Sequence, residues 1–392
     1  MSPLATPPLS IAFYTYASQP RGSVVHTASL AEALHDAGHD VHVYALDKGM
    51  GFYRPLRAHL HLIPAGAAPS EVAALVDQRR REFVDYLLPL AAPHDVHHAQ
   101  DCLAASALLD LRALRPVAPI VRTVHHIEVF ADPYLALCQA RSILEADACL
   151  AVSEATRAEL QAAFRVESFR ILNGVEIERF AGVRPERVRA LRERLGLRAG
   201  AVLLSVGGVE ERKNSLACLA AFEALRREQP EAGWQWVIAG GASILDHAPY
   251  RARFEEALTA CGPAVRAAIH RPGVVAEEDM PALYHMADVF CLPSLHEGWG
   301  LTVLEAMAAG VPVVVSRRPP FTEYLDESCA ILVDPSRPVA IAAGIAYACR
   351  QMSHAGLIQR ARERAAMFGW RQSAERHVDV YRRLLVGAHL GA

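Results

Sequence analysis

Residues Pro293–Val315 read PSLHEGWGLTVLEAMAAGVPVVV. The order of apolar, glycine-rich and amphipathic segments predicts the end of a strand, a loop and a helix in succession. The strand ends near Leu292, the loop carries Glu297 and Gly298, and the helix starts near Gly300 and runs over Leu301–Ala309. Such a helix start presents unpaired amides and the positive end of a dipole, a setting suited to an anion. Glu305 sits about one turn inside the helix, roughly 6 Å further along its axis. A loop carboxylate and a helix carboxylate so spaced can hold different parts of one ligand, while Gly298 and Gly300 let the backbone approach it closely. The ordinary reading of Glu305 would be a solvated helix residue. Against that, its neighbours Val303-Leu304 and Ala306-Met307-Ala308-Ala309 are all apolar, and a carboxylate among them is costly unless something hydrogen-bonds it.

The same alternation extends in both directions. Strands are expected around this stretch at Ala201–Val206, Trp236–Ala239, Arg271–Val275, Val289–Leu292, Pro312–Ser316 and Ala330–Val333, with helices at Ser215–Glu228, Tyr250–Cys261 and Met280–His285. Before Asn173-Gly174 a first series is expected at Ser10–Tyr16, Asp40–Leu46, Ala58–Pro64, Asp95–Ala99, Ala118–Val124, Ala148–Val152 and Phe169–Leu172, with helices such as Val24–Ala37 and Leu103–Leu114. Strands separated by helices of this length signal βαβ units and parallel sheets. The expected fold class is therefore α/β: two Rossmann-like, doubly wound parallel-sheet domains facing a central cleft. The first domain is placed at residues 1–175 and the second at 176–371. Residues 183–200 form a charged helical bridge, and a last amphipathic helix, within 372–392, packs back on the first domain. Sheets of this kind bind ligands beyond the carboxyl ends of their strands, so function is sought in the loops after them.

Composition narrows the classes. A chain of 392 residues suits two domains. With 52% hydrophobic and 21% charged residues, wholesale disorder is excluded. A net charge of −3, with neither half strongly basic, leaves no nucleic-acid footprint. Eight scattered cysteines without a C-x-x-C read as reduced thiols. The opening MSPLATPPLS lacks the features of a leader, and no apolar stretch reaches the roughly 18 residues of a membrane span. The expectation is a soluble, cytoplasmic protein with at most peripheral membrane contact; Gln78-Arg79-Arg80-Arg81 reads as a solvated helix face.

Only two of the 40 basic residues, Lys48 and Lys213, are lysines. Lys213 falls in Leu203–Asn214, LLSVGGVEERKN, where a strand ends at Val206, Gly207 and Gly208 come next, and the lysine precedes a helix. That arrangement suits phosphate contacts, although it is not a Walker motif. Where arginine fills nearly every basic position, a lysine argues for a compact point charge on a flexible stem. Lys48, in Asp47-Lys48-Gly49, supports the same argument more weakly. In the first domain, Gly22 and Ser23 could present amides at the start of the first helix. His125, followed by His126, comes after the strand VRTV, at a strand end. His94, His97, His98 and Asp101 suggest a metal, but alternation along a strand and a missing fourth ligand argue against one. No metal ligand is assigned, and Trp234 and Trp236 are taken as core.

Together these segments resemble the retaining glycosyltransferases of family 4, on the two-Rossmann GT-B fold. The resemblance rests on E-x7-E from Glu297 to Glu305 within HEGWGLTVLEAMAAGVPVV, and on SVGGVEERKN, ILNGVEIERF and RPGVVAEEDMPALYHMADVF. Thr123–His125, the strand–loop–helix around Gly22 and the closing GWRQSAERHVDVYRRLL also match. It implies transfer from a nucleotide-diphosphate sugar to an acceptor it does not identify, with retention of configuration. No metal or cofactor is implied, since the nucleotide sugar is a substrate. By the resemblance, Glu305 would bind the ribose hydroxyls and Glu297 would sit against the donor sugar. Lys213 would hold the diphosphate, helped by the amides of Leu301 and Thr302 and by Gly22. His125 would approach the reacting carbon, and the base would lie near Pro272–Val275, Val274 included. Gly207, Gly208, Gly298 and Gly300 would line the donor. The family usually has V-G-R where this chain has Val206-Gly207-Gly208; either Arg212 replaces that arginine or the donor is held differently. Two other classes stay open: a phosphorylase or nucleotide-sugar epimerase on the same fold, and a non-catalytic nucleotide-sugar binder. A dehydrogenase is disfavoured because neither first loop offers G-x-G-x-x-G.

Overall fold

The computed structural model describes residues 7–90, 93–130, 132–241, 248–350 and 355–390. Residues 1–6 of the opening stretch and 391–392 of the expected last helix lie outside the described residues. The chain divides into two units, one of Met1–Gly174 with Trp370–Ala392 and one of Val175–Gly369.

The first unit is built on β1 (Ser10–Thr15), β2 (Asp40–Asp47), β3 (His59–Pro64), β4 (Val96–Ala99), β5 (Ile120–Val124), β6 (Ala148–Ala151) and β7 (Ser168–Arg170). Their order is β3-β2-β1-β4-β5-β6-β7, with parallel pairing throughout. The second unit has β8 (Val202–Val206), β9 (Gln235–Ala239), β10 (Ile269–Gly273), β11 (Val289–Leu292), β12 (Val313–Ser316) and β13 (Ile331–Val333). Their order is β10-β9-β8-β11-β12-β13, again parallel. Central strands such as Ile11–Phe13 and Val313–Val315 are buried at every residue, as an unbroken apolar run requires when helices cover both faces. In each sheet the winding direction reverses beside the first strand. The switch points therefore fall between β1 and β4 and between β8 and β11, where such sheets bind ligands.

Trp234 and Trp236 are fully buried, and Trp236 packs on Phe222 and Phe254 with ring centroids 5.7 and 6.4 Å apart. In the first unit Tyr14 stacks on Tyr44 at 5.0 Å. The helix Trp370–Leu390 packs on the helix Gly22–Asp36, and Trp370 meets His26 edge to face at 5.3 Å. The charged bridge contains the helix Pro185–Arg194.

The largest shift of an expected strand is β10, which occupies Ile269–Gly273 rather than Arg271–Val275. It is an edge strand with a register irregularity between His270 and Gly273. Its apolar residues Val274-Val275 lie past the paired backbone, so apolarity misplaces it. All eight cysteines are free thiols. Among the described residues no helix is long and apolar enough to cross a membrane.

Candidate functional site

In the second unit the loops after β8 and β11 are joined by hydrogen bonds. The Leu295 amide donates to the Arg212 carbonyl at 2.7 Å. Asn214 donates through Nδ2 to the carbonyls of Pro293, at 3.2 Å, and Pro335, at 2.7 Å. Asn214 holds a left-handed backbone (φ 61°), which asparagine tolerates better than most side chains. Sequence reasoning left this bridge unassigned; its one signal is an asparagine standing directly before a helix.

The amides of Gly207 and Gly208 both donate to the Ala239 carbonyl, at 2.7 and 3.2 Å, drawing the ends of β8 and β9 together. A Cβ on Gly207 (φ +123°) would fall 1.7 Å from the Lys213 Nζ. The ammonium therefore lies directly over Gly207, donating to the Val206 carbonyl at 3.2 Å. Burial, reinforced by the Arg212 charge, holds the Lys213 pKa below its ordinary value. Gly208 (φ +79°) is as constrained, since a Cβ there would stand 2.8 Å from the Gly241 carbonyl oxygen. An arginine at this position would be strained on this backbone. Arg212 sits between two carboxylates, with Nη1 2.9 Å from Glu297 Oε1 and Nη2 3.1 Å from Glu210 Oε2.

Glu297 is gripped at both oxygens, because Oε2 also accepts from the Ser294 hydroxyl at 3.2 Å. Gly298, Trp299 and Gly300 are buried; Trp299 stacks on Tyr324 at 4.4 Å, and the Tyr324 hydroxyl donates to the Trp299 carbonyl at 2.9 Å. Gly300 heads the helix Leu301–Ala309 without a side-chain cap, and Leu301 and Thr302 are half-buried. Its leading amides are thus not taken by a capping side chain. Glu305 Oε2 accepts from the Tyr284 hydroxyl at 2.5 Å. Burial pushes the Glu305 pKa up to about 7, opposed by the Tyr284 hydrogen bond; Glu277 adds to the rise and Arg179 reduces it. Arg179 is itself paired with Glu277 at 2.7 Å. Val274, beyond β10, is 53% exposed and lies beside Gly241 at the end of β9.

The expected residues of the first unit also lie at strand ends. Gly22 opens its helix with no side-chain cap on Arg21, whose guanidinium lies 5.8 Å from the Tyr16 ring centroid. His125 follows β5, with Nε2 3.1 Å from Gln100 Oε1, and with that oxygen accepting, Nε2 carries the ring proton. Burial, reinforced by His26 edge-on at 4.8 Å, holds the His125 pKa well below the usual histidine range. Its imidazole is neutral near pH 7. His126 is exposed and paired with Glu128 at 2.6 Å, and Lys48 is exposed after β2. The His94, His97, His98 and Asp101 group is spread over separate contacts. His97 Nδ1 meets the Tyr14 hydroxyl at 2.7 Å, His98 bridges Tyr381 and Thr123 at 2.6 Å each, and Asp101 caps the helix Cys102–Leu114 through the Ala104 amide at 2.7 Å.

Residues 189–364 match the family model described as Glycosyl transferases group 1, and residues 20–179 match Glycosyltransferase Family 4. Among curated relatives, the D-inositol 3-phosphate glycosyltransferase of Salinispora tropica is 28% identical over 287 residues, 67% of this chain and 58% of the relative. That of Xylanimonas cellulosilytica is 34% identical over 215 residues, 53% of this chain and 49% of the relative. The chain thus spans about half to three fifths of the length of these relatives. Among solved structures, Anabaena Alr3699/HepE in complex with UDP and glucose aligns with a TM-score of 0.74 at 17% identity, over 95% of this chain and 99% of that one. The glycosyltransferase WaaG, involved in lipopolysaccharide biosynthesis, aligns with 0.73 at 17% identity, over 95% and 99%. The two parallel-sheet domains therefore share the GT-B fold, and the first resembles family 4 glycosyltransferase domains as the second resembles group 1 domains.

Proposed function

We propose that this pair of domains transfers a sugar from a nucleotide-diphosphate sugar to an acceptor, with retention at the anomeric carbon and without a catalytic metal. One observation carries the reading. Lys213, the uncapped amides of Leu301 and Thr302, and the carboxylates of Glu297 and Glu305 are mounted on the loops after the adjacent strands β8 and β11 and on the helix that follows β11, with the two loops tied together at Leu295 and Asn214. A cation and an anion-binding helix start suit a diphosphate, and two carboxylates suit the hydroxyls on either side of it. The UDP and glucose named with the Anabaena structure support a nucleotide sugar as the class of donor.

In this reading negative charge builds on the leaving diphosphate as the bond to the anomeric carbon breaks. Preplaced donors lower that barrier. The helix amides are fixed in place, whereas Lys213 leaves the Val206 carbonyl and turns to the phosphates. An anion beside it favours the charged form and offsets the burial that disfavours it. Glu305 accepts from the ribose hydroxyls, and Glu297, oriented by Arg212 and Ser294, receives the sugar hydroxyls. His125, a neutral imidazole, is assigned to the transfer step. The departing phosphate assists acceptor attack on the same face of the sugar. The loop over Lys48–Arg57 is assigned to the acceptor side.

A thermal-shift panel of UDP-, GDP- and ADP-sugars, followed by calorimetry, tests the reading, because a ligand that binds the folded state stabilises it. One donor class should raise the melting temperature, and Lys213→Ala and Glu305→Ala should each weaken its binding at least tenfold. Unchanged affinity in both variants would refute the site. Product analysis with and without acceptor separates transfer from phosphorolysis, epimerisation or binding alone.

A further inference from the structure

At the amino end of the first unit's sheet, away from the loops at the carboxyl ends of its strands, two strands bring together a set of ligand atoms that the transfer reaction does not use. Asp40 and His42 lie on one face of β2, and His59 begins β3, where its register partner is His42. Asp40 Oδ1 stands 3.2 Å from His42 Nε2 and 3.6 Å from His59 Nε2. The three ligand atoms all fall within 4.8 Å of one another.

From this geometry we propose that Asp40, His42 and His59 form a binding site for a divalent transition metal, Zn²⁺ by donor set. Ligand atoms around a tetrahedral zinc, at bonds of 2.0–2.1 Å, stand about 3.3 Å apart, which is the spacing of the two Asp40 contacts. The remaining edge closes by rotation of the exposed His59 ring. Two imidazoles and one carboxylate suit zinc better than magnesium or calcium, which prefer oxygen alone.

The surroundings are those of a built site. The other nitrogen of His42, Nδ1, lies 2.9 Å from His61 Nε2, and the other oxygen of Asp40, Oδ2, accepts from the Ser10 hydroxyl at 3.0 Å. Each of these two ligands is thus oriented through the atom it does not offer to the metal, the usual role of outer-shell partners. His94 is not a fourth ligand, because its nitrogens meet the Ser10 hydroxyl and the Tyr44 hydroxyl, each at 3.0 Å. Asp40 and His59 are exposed, so the metal enters from solvent and water fills the fourth position.

Position defines the role. β3 is the edge of the sheet, and a metal shared between β2 and β3 clamps that edge to its neighbour. Eight residues of β2 span about 23 Å, so the site stands at the opposite end of the strand from the loop after Asp47. It is a structural centre, and it does not rest on the transferase reading.

The test uses the full chain without a polyhistidine tag, stripped with a chelator and titrated with Zn²⁺ or Co²⁺. Saturable binding of one ion per chain is expected. Co²⁺ should give the visible absorption of a four-coordinate site, and Zn²⁺ should raise the melting temperature of the first unit by several degrees. His59→Ala and His42→Ala should each lower affinity at least tenfold, and His126→Ala, at a separate exposed histidine, should not. His59 is exposed, so its variant keeps the fold, which circular dichroism checks. Absence of saturable binding, or equal affinity in His59→Ala, overturns the proposal.

Discussion

The Glu305 carboxyl makes a measurable demand on stability, isolated by Glu305→Gln, which keeps the shape and removes the ionisation. Folding raises its pKa from 4.5 to about 7. Below pH 4.5 the group is protonated whether the chain is folded or unfolded, and it contributes nothing. Between pH 4.5 and 7 the unfolded chain releases the proton while the folded chain retains it, so stability falls as pH rises, and above pH 7 the loss is complete. A shift of about 2.5 units at about 1.4 kcal/mol each makes that loss about 3 kcal/mol. Urea unfolding at a series of pH values, followed by tryptophan fluorescence, reads it out. Three of the four tryptophans, Trp234, Trp236 and Trp299, belong to the second unit, as Glu305 does. The wild-type curve should descend toward that of the Glu305→Gln variant, or cross it, by about 3 kcal/mol between pH 4.5 and 7. Curves that stay parallel across that interval would refute the burial argument for Glu305.

Three further outcomes are expected. Ribose hydroxyls favour the ionised carboxylate, so donor affinity should rise with pH around 7. Tyr284→Phe, which removes a hydrogen bond to a charged group worth about 1.5–3 kcal/mol, should move that midpoint up by about one unit or more, read by calorimetry across pH. Gly207→Ala should drive Lys213 from its seat and strain a positive-φ position, destabilising the second unit by about 1–3 kcal/mol in urea titration and weakening donor binding. His125→Ala should slow transfer in a product assay while leaving donor affinity unchanged. Since burial holds its imidazole neutral near pH 7, the wild-type rate should show no step from it on the alkaline side of neutrality.

The fold was legible because buried parallel strands leave unbroken apolar runs. The expected Val289–Leu292, Ser215–Glu228, Met280–His285 and Leu301–Ala309 coincide with the observed elements. Reading failed at the edge. In β10 half-exposed residues and a register irregularity dilute the pattern, and β7, another edge strand, lies at Ser168–Arg170 instead of Phe169–Leu172. Candidate residues could be picked out where a residue type was out of place, a lysine among arginines or a glutamate in an apolar helix. Their partners were hidden, because Tyr284 reaches Glu305 and Arg212 reaches Glu297 only through folding. His42 and His59 are the sharpest case, since they sit on different strands and only the pairing of β2 with β3 makes them neighbours.

The return of the last helix to the first unit has a consequence for how the protein is made. Residues Val175–Gly369 are contiguous, whereas the first unit is interrupted and needs the segment Trp370–Ala392. A chain emerging from the ribosome amino end first ordinarily completes its domains in order. Here the order inverts: the second unit has all its residues while the first still lacks the helix that supplies Trp370, His377 and Tyr381 to His26 and His98. Until that helix arrives, the face of Gly22–Asp36 that it covers stays open to solvent. A stretch made after the whole second unit is therefore the one that seals the first half.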